Sequence, residues 1–346
     1  MKAIKVLVVD DSALVREILT QGLSMDPEIE VVGVASNPYV ARDKIIRLRP
    51  DVLTLDVEMP KMDGVEFLRR LMPQYPLPVV VVSALAKQGA KITLEALAAG
   101  AIDFVTKPST DIARGLNAML GELRQKIKIA AAANVQAWQD KRPTTLPSRT
   151  LKAALAESTD KVIAIGASTG GTEAIRRIIK AFPASTPGIV IVQHMPPGFT
   201  KHFAQGLNDI CEMEVLEAKT NDRVMPGRVL IAPGGKHMTV RRSGGMYLVT
   251  CEPGPNVNGH CPSVDVLFHS VAKNVGSNAV GVILTGMGHD GAEGLLAMRQ
   301  SGAQTLAQDE HSSVVFGMPK VAYEKGGTDV LIPLSAIPKA IAMALV

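Results

Sequence analysis

The amino-acid sequence predicts two α/β domains in tandem. The first is a five-stranded parallel sheet, and the second is a doubly wound, mostly parallel sheet with one antiparallel hairpin. Three observations predict this. The chain has 346 residues, more than one hydrophobic core ordinarily serves, since single cores stop growing at about 250–300 residues. Its first third alternates five times between a short apolar run and a helix-periodic stretch, the pattern of a parallel sheet covered on both faces. Beyond residue 160, apolar runs again end in glycine or proline turns that open onto helical periods.

Taken in order, the run Val6–Val9 ends in Asp10-Asp11-Ser12, and a helical pattern follows through Leu23. Further strands read at Val31–Ala35, Val52–Leu55, Val79–Val82 and Ile102–Val105. Helical periods lie between and after them at Pro38–Leu48, Gly64–Leu71, Lys91–Ala99 and Ile112–Ile127. The polar residues fall at the carboxyl ends of strands, where such sheets place their sites. Asp10 and Asp11 close the first strand, Asp56 the third and Ser83 the fourth, while Lys107 follows the fifth. A single aspartate there only caps a helix. Three carboxylates converging repel one another and call for a cation, and oxygen ligands with a retained water shell favour Mg2+. A lysine opposite them can pair with a phosphoryl group.

Residues 123–158 lose the apolar period after the end of the last helix and read as a linker, kept partly extended by Pro143 and Pro147. Trp138, the single tryptophan, is expected to pin that linker rather than face solvent. The balance of 37 basic and 33 acidic residues is too mild for a nucleic-acid binder, which concentrates positive charge. Cys211, Cys251 and Cys261 lack zinc-ligand spacing and read as reduced thiols of a cytoplasmic protein. The N-terminus does not read as a signal peptide, and no run approaches the roughly 18 apolar residues of a membrane span.

The second domain, from residue 159 to 346, opens with Val162–Ile165 and Gly166-Ala167-Ser168-Thr169-Gly170-Gly171, followed by a helical period from Thr172 to Ile179. Strand, tight turn and helix project a serine hydroxyl from the sheet beside helix N–H groups. The same turn also suits a phosphate, so a base must be found to favour a nucleophile. Ile189–Val192 ends in Gln193-His194, Val229–Ala232 in a Pro-Gly-Gly turn, and Ala279–Leu284 in Thr285-Gly286-Met287-Gly288-His289-Asp290. Val240–Arg242 and Tyr247–Cys251 form the hairpin. Of seven histidines, His194 and His289 lie at strand ends. Singly, His194 reads as a packing residue and Asp290 as a helix cap. Together, Ser168, His194 and Asp290 at three strand ends have the makings of a nucleophile–base–carboxylate triad. Their order is not that of α/β-hydrolases, so the domain is not assigned to that fold.

Residues 5–122 resemble response-regulator receiver domains, which are flavodoxin-like, through Asp10-Asp11, Leu55-Asp56-Val57-Glu58-Met59-Pro60, Ser83 and Lys107-Pro108. The resemblance implies Asp56 as phosphoacceptor. It also implies Mg2+ held by Asp10, Asp11, Asp56 and the backbone carbonyl of Glu58, with Ser83 and Lys107 on the phosphoryl oxygens. Phe104 would be the aromatic that reports the state, and the Lys107–Pro108 bond would be cis. Residues 160–344 resemble the catalytic domain of the CheB family of chemotaxis methylesterases. The runs that carry this are Ile165–Ile175, Gln193–Thr200, Pro262–Phe268 and Leu284–Gly288. This implies Ser168 as nucleophile, His194 as general base and acid, Asp290 orienting His194, and the Met287 N–H as an oxyanion donor. Cys261 stands where the family pattern has arginine.

The implied activity is hydrolysis of glutamate methyl esters on chemoreceptors, with deamidation of receptor glutamines as a second activity and no cofactor for either. A chemotaxis histidine kinase would donate the phosphoryl group, a monomer is expected, and the unphosphorylated receiver would cover the Ser168 cleft. The competing readings are a receptor-binding adaptor and a receiver-regulated output protein without esterase chemistry. A DNA-binding output is disfavoured because no helix-turn-helix pattern follows residue 150.

Overall fold

The structure, a computed structural model, describes residues 2–60, 62–84, 87–108, 112–135 and 160–345. Its contacts divide the chain into two compact units, Met1–Gln139 and Asp140–Val346. Trp138 and the linker beyond residue 135 lie outside the described residues.

The first unit alternates without exception: β1 Ile4–Val9, α1 Ala13–Ser24, β2 Ile29–Ala35, α2 Pro38–Leu48, β3 Val52–Leu55, α3 Gly64–Gln74, β4 Val79–Ala84, α4 Lys87–Ala98, β5 Asp103–Lys107 and α5 Ile112–Ala131. The five strands are parallel in the order β2-β1-β3-β4-β5. Helix starts are set by short polar side chains: Ser12, Asn37 and Asp63 each accept a hydrogen bond from a first-turn N–H. Val9 pairs with Leu55, so the next residues on each strand, Asp10 and Asp56, leave the sheet side by side. Several details differ from the sequence reading, among them the start of α4 at Lys87 rather than Lys91. Helix α5 continues past Ile127 because buried Ala130 extends the stripe of Leu120, Leu123 and Ile127. The cis peptide among the described residues is Cys261–Pro262, not Lys107–Pro108; the intrinsic trans preference of an X-Pro bond is only about 0.5–1 kcal/mol, so local packing decides it.

The second unit holds β6 Val162–Ala167, α6 Gly171–Lys180, β7 Gly188–Gln193, α7 Phe199–Asn208, β8 Glu214–Glu217, β9 Arg223–Val224, β10 Arg228–Ile231, β11 His237–Ser243 and β12 Met246–Glu252. It continues with α8 Val264–Asn274, β13 Ala279–Ile283, α9 Ala292–Gln300, β14 Gln304–Gln308, α10 Met318–Glu324, β15 Leu331–Ile332 and α11 Ile337–Ala344. Seven parallel strands run in the order β15-β14-β13-β6-β7-β10-β8, and β11-β12-β9 form a separate antiparallel sheet. The chain starts in the middle at β6, winds outward through β7, then returns to β13 on the other side of β6. That reversal is a topological switch point, where open parallel sheets leave a crevice at the carboxyl ends. The central strands β6, β7 and β13 are wholly buried apolar runs, which is why they were readable in the sequence. Edge strands β8 and β15 are short and half-exposed, and they carry no such signal.

Helix α8 lies directly against β6. A Cβ at Gly166 would sit 2.2 Å from Val264 Cγ1 and 3.2 Å from Phe268 Cζ, so only glycine lets this helix approach. Phe268 is fully buried beneath the crevice. Phe268→Ala is therefore expected to lower the stability of this unit by about 3–5 kcal/mol in urea unfolding.

Candidate functional site

The crevice of the second unit is built by three neighbouring strand ends. Ser168 follows β6, and its backbone is tied on both sides. Its N–H donates to Thr285 O at 3.0 Å, and its carbonyl accepts from Gly171 N–H at 2.7 Å and from Gln193 Nε2 at 2.9 Å. Gly170 turns the chain at φ 78° into α6, a conformation that side chains rarely adopt. The hydroxyl-bearing side chain thus stands at the start of a helix, half-exposed.

His194 follows β7, and its N–H donates to Ala167 O at 3.1 Å. Its ring Nε2 lies 2.8 Å from Asp290 Oδ2, and its side chain is 6% exposed. The other ring nitrogen, Nδ1, is buried without a hydrogen-bond partner. The face of the ring stacks on His260, centroids 3.6 Å apart and planes 13° from parallel.

Asp290, in the loop after β13, is 2% exposed and fully satisfied. Besides His194, it accepts from Ser263 Oγ at 2.8 Å, Val264 N–H at 2.7 Å, Asp265 N–H at 3.2 Å and Asn258 Nδ2 at 2.9 Å. Burial alone would raise its pKa, but the bonds from His194, Asn258 and the first turn of α8 outweigh burial and hold it well below the carboxylate range. The cap reading of Asp290 is thereby half right: its carboxylate sits at the start of α8, a helix it does not belong to, in the field of that N-terminus. Its neighbour His289 is exposed and takes no part.

The loop after β13 also walls the serine. A Cβ at Gly286 would come within 2.7 Å of Ser168 Cβ. Thr285 Oγ1 donates to Thr169 O at 3.0 Å, and Thr285 N–H donates to buried Gln308 Oε1 at 2.9 Å. Met287 stands at the rim, 50% exposed.

In the first unit, Asp10, Asp11 and Asp56 bring one carboxylate oxygen each to within 4.8 Å of one another. Lys107 Nζ donates to Asp10 Oδ2 at 2.9 Å and Asp56 Oδ2 at 2.6 Å. Burial pushes the Asp10 pKa up, opposed by Lys107. Burial would depress that of Lys107, but the two carboxylates carry it above its ordinary value. Ser83 is fully buried, and Glu58 N–H donates to Asp56 Oδ1 at 3.1 Å. Phe104 is buried, with Lys126 Nζ 5.2 Å from its ring centroid. Hard oxygen donors clustered at this spacing, two of them buried, suit a divalent cation with a partial water shell.

Sequence reasoning did not single out Asn258, His260 or Gln193. Only the Asn258-Gly259 pair carries a local signal, that of a tight turn.

A hydroxyl, an imidazole and a carboxylate on adjacent strand ends, joined to a carboxylate-rich receiver pocket, define a receiver-linked hydrolase. Comparison with known proteins agrees with that class. The family model described as CheB methylesterase matches residues 163–341, and the response regulator receiver domain model matches residues 6–138. The chain belongs to the CheB methylesterase family. It is 69% identical to a protein-glutamate methylesterase/protein-glutamine glutaminase of Syntrophotalea carbinolica, over 97% of this chain and 96% of that one. It is 54% identical to a protein of the same name from Salmonella typhimurium, over 97% and 95% of the two chains. The crystal structure of the Thermotoga maritima CheB methylesterase catalytic domain is similar to the second unit, with TM-score 0.52 and 38% identity, covering 53% of this chain and 97% of that one.

The depressed pKa of Asp290 makes a stability prediction. A carboxylate held below its ordinary 3.8 contributes stability that is present above that pH and is lost as pH falls through the folded value. Asp290→Asn should therefore lower stability near neutrality and flatten the acid-side decline, read as urea midpoint against pH below 3.8.

Proposed function

We propose that this chain is a receiver-controlled protein-glutamate methylesterase and protein-glutamine glutaminase acting on chemoreceptors, with Ser168 as nucleophile. The observation that carries the roles is the buried, unpartnered Nδ1 of His194 beside the Ser168 turn, with Nε2 committed to Asp290. An ionised carboxylate on Nε2 places the ring proton there and leaves the Nδ1 lone pair as the base.

Ser168 Oγ attacks the γ-carbonyl carbon of a glutamate methyl ester while its proton passes to His194 Nδ1. Asp290 stabilises the imidazolium so formed. The oxyanion is met by N–H groups of the turn opening α6 and by that of Met287. The carbon–methoxy bond then breaks, and His194 returns the proton to the leaving oxygen, giving methanol. Water attacks the acyl-serine, giving its proton to His194, and Ser168 leaves with that proton to free the glutamate. A glutamine amide follows the same path with ammonia leaving.

In the receiver, Asp56 accepts a phosphoryl group from a histidine kinase, and Ser83 and Lys107 hold its oxygens. Asp10, Asp11, Asp56 and the Glu58 carbonyl would hold Mg2+, which supplies neutralisation of the charge that develops on transfer. Among the described residues no helix is long and apolar enough to cross a membrane, in keeping with a reading that places the chain in the cytoplasm, against the receptors' cytoplasmic helices.

Methanol release from membranes carrying methylated chemoreceptors tests both halves. Ser168→Ala should lower kcat by about 10⁶-fold. A phosphodonor with Mg2+ should raise release by wild type and leave Asp56→Asn unchanged. Release that survives Ser168→Ala would remove the assigned nucleophile, and equal response of Asp56→Asn would remove the assigned phosphoacceptor.

A further inference from the structure

The loop 253–262 touches both partners of the His194–Asp290 pair, and the chemistry above makes no use of it. At its tip Val257 and His260 exchange two backbone hydrogen bonds, each 3.0 Å, across Asn258 and Gly259. Those two residues have φ of 53° and 84°, the backbone of a two-residue type I′ turn, which Asn-Gly favours. The base of the loop is fixed as well. His237 Nε2 donates to Pro255 O at 2.8 Å, its Nδ1 accepts from Ser263 N–H at 3.2 Å, and Gly235 N–H donates to Cys261 O at 3.0 Å.

The side chains of Asn258, within this turn, and His260, just after it, reach different members of the pair. Asn258 Nδ2 donates to Asp290 Oδ1 at 2.9 Å and to Asp265 Oδ2 at 2.6 Å. His260 lies flat on the ring of His194. Asp265 is itself buried and anchored by Gly294 N–H at 2.7 Å, so Asn258 is a neutral double donor between two buried carboxylates. The position demands two properties at once: tolerance of left-handed backbone and two N–H donors on a short side chain. Asparagine has both, whereas glycine has only the first, and aspartate adds a third charge without a donor.

We infer that Asn258 is a positioning residue for the hydrolysis: its amide fixes the Asp290 carboxylate, and through it the ring plane of His194, while the same turn lays His260 on the ring face. This rests on the functional reading given above. The orientation matters because His194 Nδ1 has no hydrogen bond of its own to hold it; the Nε2 bond and the stack set where it points.

The test uses the full chain with Asn258→Gly, which keeps the turn and removes the donors, and Asn258→Asp, which keeps the shape and adds charge. Methanol release is followed for kcat and KM, and 15N-histidine spectra report the His194 tautomer, assigned against His194→Gln. The inference expects kcat to fall about 10²-fold in Asn258→Asp and less in Asn258→Gly, with KM unchanged. It also expects His194 signals to leave those of a single Nε2–H tautomer while His202 and His311 signals stay. Wild-type kcat in both variants, or a loss carried by KM with His194 signals unmoved, would overturn it. If wild type released no methanol, the hydrolase reading would fail, and the His194 signals would still decide the positioning.

Discussion

The second unit depends on one constraint: a carboxylate buried at the switch point of a parallel sheet must be kept ionised. An unpaired charge in such a place costs several kcal/mol in lost hydration. Asp290 meets that cost with five donors from three separate segments: His194 after β7, Asn258 in the 253–262 loop, and Ser263 with two N–H groups at the start of α8. Position follows from this. Helix α8 must end its approach at Asp290, so β6 must carry glycine at residue 166 beneath Val264. The His194 ring must turn Nε2 inward, which leaves Nδ1 without a hydrogen-bond partner among the described residues.

The use of Nε2 toward the carboxylate is the reverse of the familiar protease arrangement, in which Nδ1 faces the aspartate. The chemistry is indifferent to which nitrogen plays which part, because imidazole needs only one N–H fixed and the opposite lone pair free. What selects the orientation here is the backbone: His194 and Ser168 leave neighbouring parallel strands, with His194 N–H bonded to Ala167 O. The ring must reach across β6 to a carboxylate supplied from β13.

The receiver pocket solves a related problem with a shared lysine. Its three carboxylates crowd at strand ends, and two are buried; Lys107 Nζ bridges Asp10 and Asp56, and one backbone N–H each, from Ser12 and Glu58, meets their other oxygens. The Asp290 carboxylate, by contrast, meets a full set of donors fixed by the surrounding backbone and side chains.

Strand cores, helix periods and the polar residues at strand ends were legible in the sequence because each depends on neighbours in the chain. Val6–Val9 with Asp10, and Ile163–Ile165 with Ser168, are local patterns whose physics is burial followed by a turn. The half-exposed strands β8 and β15 were not legible, since half-exposed runs of two to four residues carry no such pattern. Nor was the extension of α5, where alanine alone continues the stripe. By itself the sequence determined the alternation of elements, the residues at each carboxyl end, and thereby the chemical types available. Tertiary structure alone decided that Asn258 shares two carboxylates, that His260 covers His194, and which ring nitrogen meets Asp290. Apart from the Asn258–Asp265 bond, which spans 7 residues, those choices depend on distances between segments some 30 to 100 residues apart in the chain, which hydrophobic periodicity does not encode.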